Sequence, residues 1–141
     1  MNISVKKLNP DAKIPVFAHP GDAGMDLFSV EDLILKPGDR HSVATGLAIK
    51  IPDGYVGLIW DKGGPSHKYG IKTLGGVGDS GYRGEYLVGL VNLSQENFEI
   101  QKGQKIAQLL IQKVERPTIE EVEELEESTR GDGRFGSTGL H

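Results

Sequence analysis

Hydrophobic and polar positions alternate with period two along most of this chain. Leu47, Ile49 and Ile51 in "GLAIKIP" fall on one face of an extended segment, and Val56, Leu58 and Trp60 in "YVGLIW" do the same. The runs "EYLVGLVNL" (85–93) and "KIAQLLIQKV" (105–114) are longer segments of strand type. Turn signals lie between them: "NPD", "HPGDAG", "KPGD", "IPDG", "DKGGPS" and "QKGQ". Many short strands joined by Gly and Pro turns predict an all-β domain, an antiparallel sandwich or jelly roll.

One segment breaks the alternation. In "TIEEVEELEES" (118–128), Ile119, Val122 and Leu125 recur every three residues, which predicts either a helix or an edge strand, with six Glu as a solvated face. Beyond it "STRGDGRFGSTGLH" has no periodicity and one aromatic residue, too little to build a core. The expected division is therefore a single β domain over 1–128 and an irregular, flexible glycine-rich arm over 129–141.

Composition narrows the function. The 141 residues fit one domain, and the 20 glycines, about twice the usual ~7%, are spread along the chain as a turn-rich fold requires. No Cys is present, which removes disulfides, a thiol nucleophile and Cys-ligated zinc. "MNISVKKLNPDAKIPV" has no apolar signal region and no run approaches the ~18 apolar residues of a membrane span, so a cytoplasmic protein without a membrane partner is expected. A net charge of −4 argues against nucleic-acid binding, which needs a basic face. A small anionic ligand remains open if the few cations converge.

Several motifs fail their context. "GVGDSG" (76–81) and "GDGRFG" (131–136) match G-x-G-x-x-G, yet neither follows a strand and opens a helix as a dinucleotide fingerprint must. The four His are isolated, without zinc-ligand spacing, and no nucleophile elbow exists for a covalent serine.

Five segments do carry chemistry: "AGMDLFS" (23–29), "DKGGPS" (61–66), "GVGDSGYRGE" (76–85), "GQKIAQ" (103–108) and the tail "RGDGRFGSTG" (130–139). Singly, each has a bland reading: Asp26 and Asp79 as turn caps, Tyr82 as a half-buried sheet residue. Together, and in this order, they resemble the trimeric dUTP pyrophosphatases, or dUTPases, from about Lys6 to Thr138. The resemblance implies a jelly-roll-like β-clip. It also implies Mg²⁺-dependent hydrolysis of dUTP to dUMP and pyrophosphate by water attack at the α-phosphate, which limits uracil incorporation into DNA and supplies dUMP for thymidylate synthesis.

The same resemblance assigns roles. Asp79 matches the carboxylate that activates the attacking water, and Tyr82 the ring that lies against the deoxyribose and leaves no room for a 2′-hydroxyl. Gly76, Val77 and Gly78, with backbone near Leu87, match the hairpin that reads uracil through main-chain hydrogen bonds. Asp26 matches the residue that supports the metal-bound triphosphate through water, the metal being held mainly by phosphates and water. Lys62, Gly63, Gly64 and Gln108 match phosphate-side positions. Arg130 would clamp the γ-phosphate, Phe135 would stack on uracil, and Gly136, Ser137 and Thr138 would add donors. In the family this arm crosses to a neighbouring subunit, which implies a homotrimer with shared sites.

Three positions depart from the family pattern. Gly63 stands where Ser is usual, removing a hydroxyl donor; Gly78 replaces an aliphatic residue; Arg134 replaces Gly. Two rival readings share the fold: a dCTP deaminase and a non-catalytic nucleotide-binding regulator. A third, cell adhesion through Arg130-Gly131-Asp132, has only the tripeptide behind it.

Overall fold

The alternating segments form strands in the computed structural model, which describes residues 1–136, 138 and 139. In chain order the elements are β1 (Ser4–Lys7), β2 (Met25–Phe28), β3 (Leu33–Leu35), β4 (Arg40–Lys50), β5 (Tyr55–Trp60), α1 (Gly63–Tyr69), β6 (Ile71–Leu74), β7 (Val77–Gly78), β8 (Glu85–Asn92), β9 (Phe98–Ile100) and β10 (Lys105–Lys113). All ladders are antiparallel and make three sheets, ordered β1-β4-β8-β6, β2-β10-β5-β7 and β3-β9. The expected all-β antiparallel fold is what forms. Among the described residues no helix is long and apolar enough to cross a membrane.

The core lies between the sheets and is filled by alternate residues. Val43, Leu47, Ile49 and Ile51 meet Tyr86, Val88 and Leu90 from β8 and Leu27, Ala107 and Leu109 from the second sheet. Burying each large aliphatic side chain stabilises by ~1.5–3 kcal/mol. The inward row of β8 ends in a polar residue, Asn92, which is fully buried and fully partnered. Its amide donates to Leu35 O (2.8 Å) and Glu96 O (2.7 Å), while its Oδ1 accepts from Ser94, tying β8 to β3.

Strand β5 inverts the simple expectation. Its large residues Val56, Leu58 and Trp60 share a face, but the core receives Gly57 and Ile59 instead, and Trp60 is 52% exposed. A Cβ at Gly57 would stand 3.2 Å from Leu109 and 3.3 Å from Ile51, so the smallest residue sits where the core leaves little room for a side chain.

The periodic acidic segment becomes neither helix nor strand; from Val114 on, the described residues form no regular element. Ile119 and Leu125 are each 87% exposed, so the apolar row has nothing to pack on. Short helices are marginal without tertiary packing, and Glu120–Glu124 and Glu123–Glu127 would repel at i,i+4. The one helix, α1, arises from "GGPSHKY", which has no apolar period and no side-chain cap and buries no residue. It ends at Gly70, whose left-handed φ of 66° closes the last turn.

Candidate active site

The "GGVGDSGYRGEYL" hairpin spans two sheets. Strand β7 pairs with β5, whereas β8 pairs with β4 and β6, so the strands on either side of Asp79–Gly84 diverge instead of pairing. The gap is a pocket of 200 Å³ lined by Ile59, Gly76, Val77, Gly78, Tyr82, Glu85, Tyr86 and Leu87. Five residues expected to hold a nucleoside, Gly76, Val77, Gly78, Tyr82 and Leu87, are thus brought together.

Glycines make this geometry. Gly76 has φ 113° and its carbonyl accepts from Ile59 N at 2.8 Å; a Cβ there would stand 2.7 Å from Ile59 O. Tyr82 folds back so that its hydroxyl donates to Glu85 O (2.8 Å), which Gly84 permits, since a Cβ at Gly84 would lie 2.5 Å from that hydroxyl. The Tyr82 N–H donates to Asp79 O at 3.1 Å and closes the turn. Asp79 is exposed, one residue beyond the pocket wall.

A second cleft forms on the sheet β2-β10-β5. Asp26 lies opposite Gln108, which lies opposite Trp60, and residues directly opposite in antiparallel ladders share a face. A register shift between Lys105 and Ala107 sets Lys105 opposite Phe28, two residues from Asp26 and therefore on its face. Lys62 Nζ donates to Asp26 Oδ1 at 2.6 Å, and Lys105 Nζ lies 3.1 Å from Oδ2. Oδ2 is reached by charge rather than by a well-formed hydrogen bond. Asp26 is only 2% exposed. Burial alone would push its carboxyl up, but the Lys62 hydrogen bond and the charges of Lys62 and Lys105 outweigh it and hold the group below the ordinary carboxylate value.

The cleft in front measures 540 Å³ and is lined by residues including Asp22, Gly24, Trp60, Asp61, Gly63, Ser66, His67 and Gln108. Gln108 is fixed by donating Nε2–H to Asp61 O (2.8 Å), and a Cβ at Gly24 would collide with its amide oxygen. The Asp61 carboxylate faces elsewhere, accepting from Thr73 N (2.7 Å), Thr73 Oγ1 (2.8 Å) and Lys72. Burial opposes its ionisation, and these donors lower its pKa despite that. Lys62 stands at the N-cap position of α1 without capping it through its side chain, while Gly63 and Gly64 open the helix with free space where a Cβ would go.

No residue lines both pockets, and the tail makes a third concavity of its own from Thr129, Arg130, Arg134, Phe135, Gly136 and Thr138. Arg130 Nε donates to Gly133 O (2.6 Å), the Arg134 guanidinium lies 4.8 Å from the centroid of the Phe135 ring, and Phe135 is 93% exposed. Ser137 lies outside the described residues.

Lys105, Trp60, Ser66, His67 and Tyr86 join these sites although the sequence assigned them no role. Lys105 sits inside "GQKIAQ", but its orientation depends on a bulge that no composition signals. For a metal, no group of three or more His, Cys, Asp or Glu converges among the described residues. Asp26 already faces two lysines. Such a donor set fits a hard cation carried in by phosphates and water, as Mg²⁺ is, rather than one held in a protein cage.

Comparison with known proteins places the whole chain beside one family. The dUTPase family model matches residues 10–139. The deoxyuridine 5′-triphosphate nucleotidohydrolase of Rhodococcus erythropolis is 47% identical over all of this chain and 88% of its own length. The dUTPase of Staphylococcus bacteriophage 80α, solved with dUPNHPP, superposes with a TM-score of 0.93 at 32% identity over 99% of both chains. A point mutant of the dUTPase from phage phi11 of S. aureus, solved to show coordination of a structural Mg(II) ion, superposes at 0.84 with 29% identity over 90% of this chain and 100% of that one.

Proposed function

The chain belongs to the dUTPase family and hydrolyses dUTP to dUMP and pyrophosphate; we propose that its divergent hairpin holds the deoxyuridine while the basic cleft holds the triphosphate. The observation that carries this division is the separation of β7 and β8 into different sheets, which leaves a gap of nucleoside size beside Asp79. Asp79, exposed and next to that gap, is the base that orients and deprotonates water for attack at the α-phosphate. Tyr82 closes the sugar side against a 2′-hydroxyl. Main-chain groups of Gly76, Val77, Gly78 and Leu87 read uracil, and a cytosine amino group would leave buried partners unpaired.

On the phosphate side, Asp26 acts by holding Lys62 and Lys105 in place. Gln108 and the backbone of Gly63 and Gly64 add donors, and a Mg²⁺ bound with the triphosphate would supply charge neutralisation there. The two pockets share no residue, and no described residue of the tail lines either of them. That separation supports a homotrimer in which neighbouring chains complete each site, with the 129–141 arm bringing Arg130 to the γ-phosphate, Phe135 to uracil, and Gly136, Ser137 and Thr138 to the phosphates. Nucleoside triphosphates are intracellular, so the same reading sets the reaction in the cytoplasm.

The test is pyrophosphate release from dUTP, dCTP, dTTP and UTP with and without Mg²⁺. Release confined to dUTP and dependent on Mg²⁺ is expected. Ammonia release from dCTP, or tight dUTP binding without turnover, would overturn the assignment of these pockets.

A further inference from the structure

Tyr86 lies on the core-facing row of β8 and is 3% exposed, yet its hydroxyl has no hydrogen-bond partner among the described residues. Leaving a buried hydroxyl unmade is costly, so such a group calls for a reason. The hydroxyl lies at the edge of the core against Gly78, where a Cβ would collide with it and also stand 3.1 Å from Gly57 O. Gly78 and Tyr86 both line the hairpin pocket, and the Tyr86 ring packs at 5.9 Å, tilted by 51°, against that of Tyr82. Behind it, Thr45 Oγ1 donates to Tyr86 O at 2.6 Å and fixes the backbone from which the side chain reaches. The departure at Gly78 therefore has a partner: the room an aliphatic side chain would fill holds a phenol oxygen.

We propose that the Tyr86 hydroxyl is a specificity-determining donor of the hairpin pocket, giving its hydrogen bond to an acceptor oxygen of the bound deoxynucleoside, and that position 78 is glycine to admit it. This rests on the reading of that pocket as the nucleoside site. Burial, and after it the neighbouring charge of Asp79, holds the phenol above its ordinary value, so it stays protonated and able to donate.

The test uses Tyr86→Phe in the full-length protein, with dUMP as probe for the nucleoside side and inorganic pyrophosphate for the phosphate side. The Kd of dUMP and the KM of dUTP rise about 3–10-fold, the worth of one neutral hydrogen bond, while kcat and inhibition by pyrophosphate stay within about twofold. Because the hydroxyl is unpartnered in the free protein, Tm rises by about 1–3 °C instead of falling. Gly78→Ala weakens dUMP binding, and Tyr86→Phe added to it restores part of the loss. An unchanged dUMP affinity in Tyr86→Phe, a fall in Tm, or an equal shift in pyrophosphate inhibition overturns the proposal. Asp79→Asn run alongside separates the two readings: near-normal turnover there sinks the pocket assignment itself, whereas an inactive Asp79→Asn with normal dUMP binding by Tyr86→Phe sinks only the donor.

Discussion

The walls of the hairpin pocket are largely main chain: Gly76 at φ 113°, Gly78 pressed against a phenol, and Gly84 making room for Tyr82. The second cleft is framed by side chains: Gln108 lines it, and Asp26, directly opposite Gln108 in the ladder, holds Lys62 and, across a bulge, Lys105. The first is made by removing Cβ atoms and selects by shape and fixed backbone partners. The second is made by adding charge and selects by valence. Substitution therefore acts differently on each: a methyl group closes the first, whereas the second changes with charge and titrates.

The largest separation of the two comes from Asp79→Asn. It removes the base beside the hairpin pocket but leaves both binding surfaces, so kcat falls by ~10²–10⁴ while the Kd for dUMP changes little. Single-turnover kinetics beside calorimetric dUMP binding checks this. A parallel loss of binding would mean that Asp79 shapes the pocket as well as serving it.

Deleting Arg130–His141 comes next. The clamp and the base stack both go, so kcat/KM falls by about 10²-fold or more, given ~1–3 kcal/mol for stacking and a charge-assisted phosphate contact. The described residues of this segment add nothing to the core, so Tm stays within a degree or two. A truncated protein with full turnover would show that the two pockets suffice without the arm.

Asp26→Asn tests the basic cleft alone. It frees Lys62 and Lys105 from their common partner, and kcat/KM falls about 10-fold, in the range typical for groups that orient a ligand-binding shell. Dependence on pH gives the sharper reading. The folded pKa of Asp26 is lowered, so its contribution to stability is complete above the unfolded carboxylate value of about 3.9 and is lost as pH falls through the lower folded value. The Tm difference between wild type and Asp26→Asn is thus constant above about pH 5 and shrinks below about pH 4. The difference persisting undiminished at pH 3 would mean that the lysines do not hold this carboxylate in its charged form.

Much of this was legible in the residues and some was not, for physical reasons. Period-two alternation marked β4, β8 and β10 because each buries one face, and β5 although the core takes its other face, and the five glycine-bearing segments marked the sites because backbone approach needs glycine. Residues 118–128 have a helical period without a surface to receive it, so the pattern predicted an element that tertiary packing does not support. The α1 helix was hidden because its seven residues are fixed by their neighbours and not by propensity. Lys105 and Tyr86 were missed for a shared reason. Each reaches its site through a relation between strands, a bulge for one and the missing Cβ of Gly78 for the other, and such relations are not written in either segment alone.

The smallest expected effect is a gain, and it asks whether the basic cleft is complete. Gly63 lines that cleft at the first residue of α1, where a Cβ would meet nothing within 4 Å, so Ser fits without displacing an atom. Its hydroxyl would restore a donor beside Lys62, and a hydrogen bond to a charged group is worth ~1.5–3 kcal/mol at best, less at an exposed position. Replacing an exposed helical Gly also removes up to ~1 kcal/mol of helix cost. Gly63→Ser therefore raises kcat/KM for dUTP about 2–10-fold and lowers the Ki of pyrophosphate in step, with dUMP affinity unchanged because the hairpin pocket is untouched. If kcat/KM instead holds or drops, the backbone N–H at Gly63 already makes the contact, and the basic cleft is as complete as the hairpin pocket that faces the base.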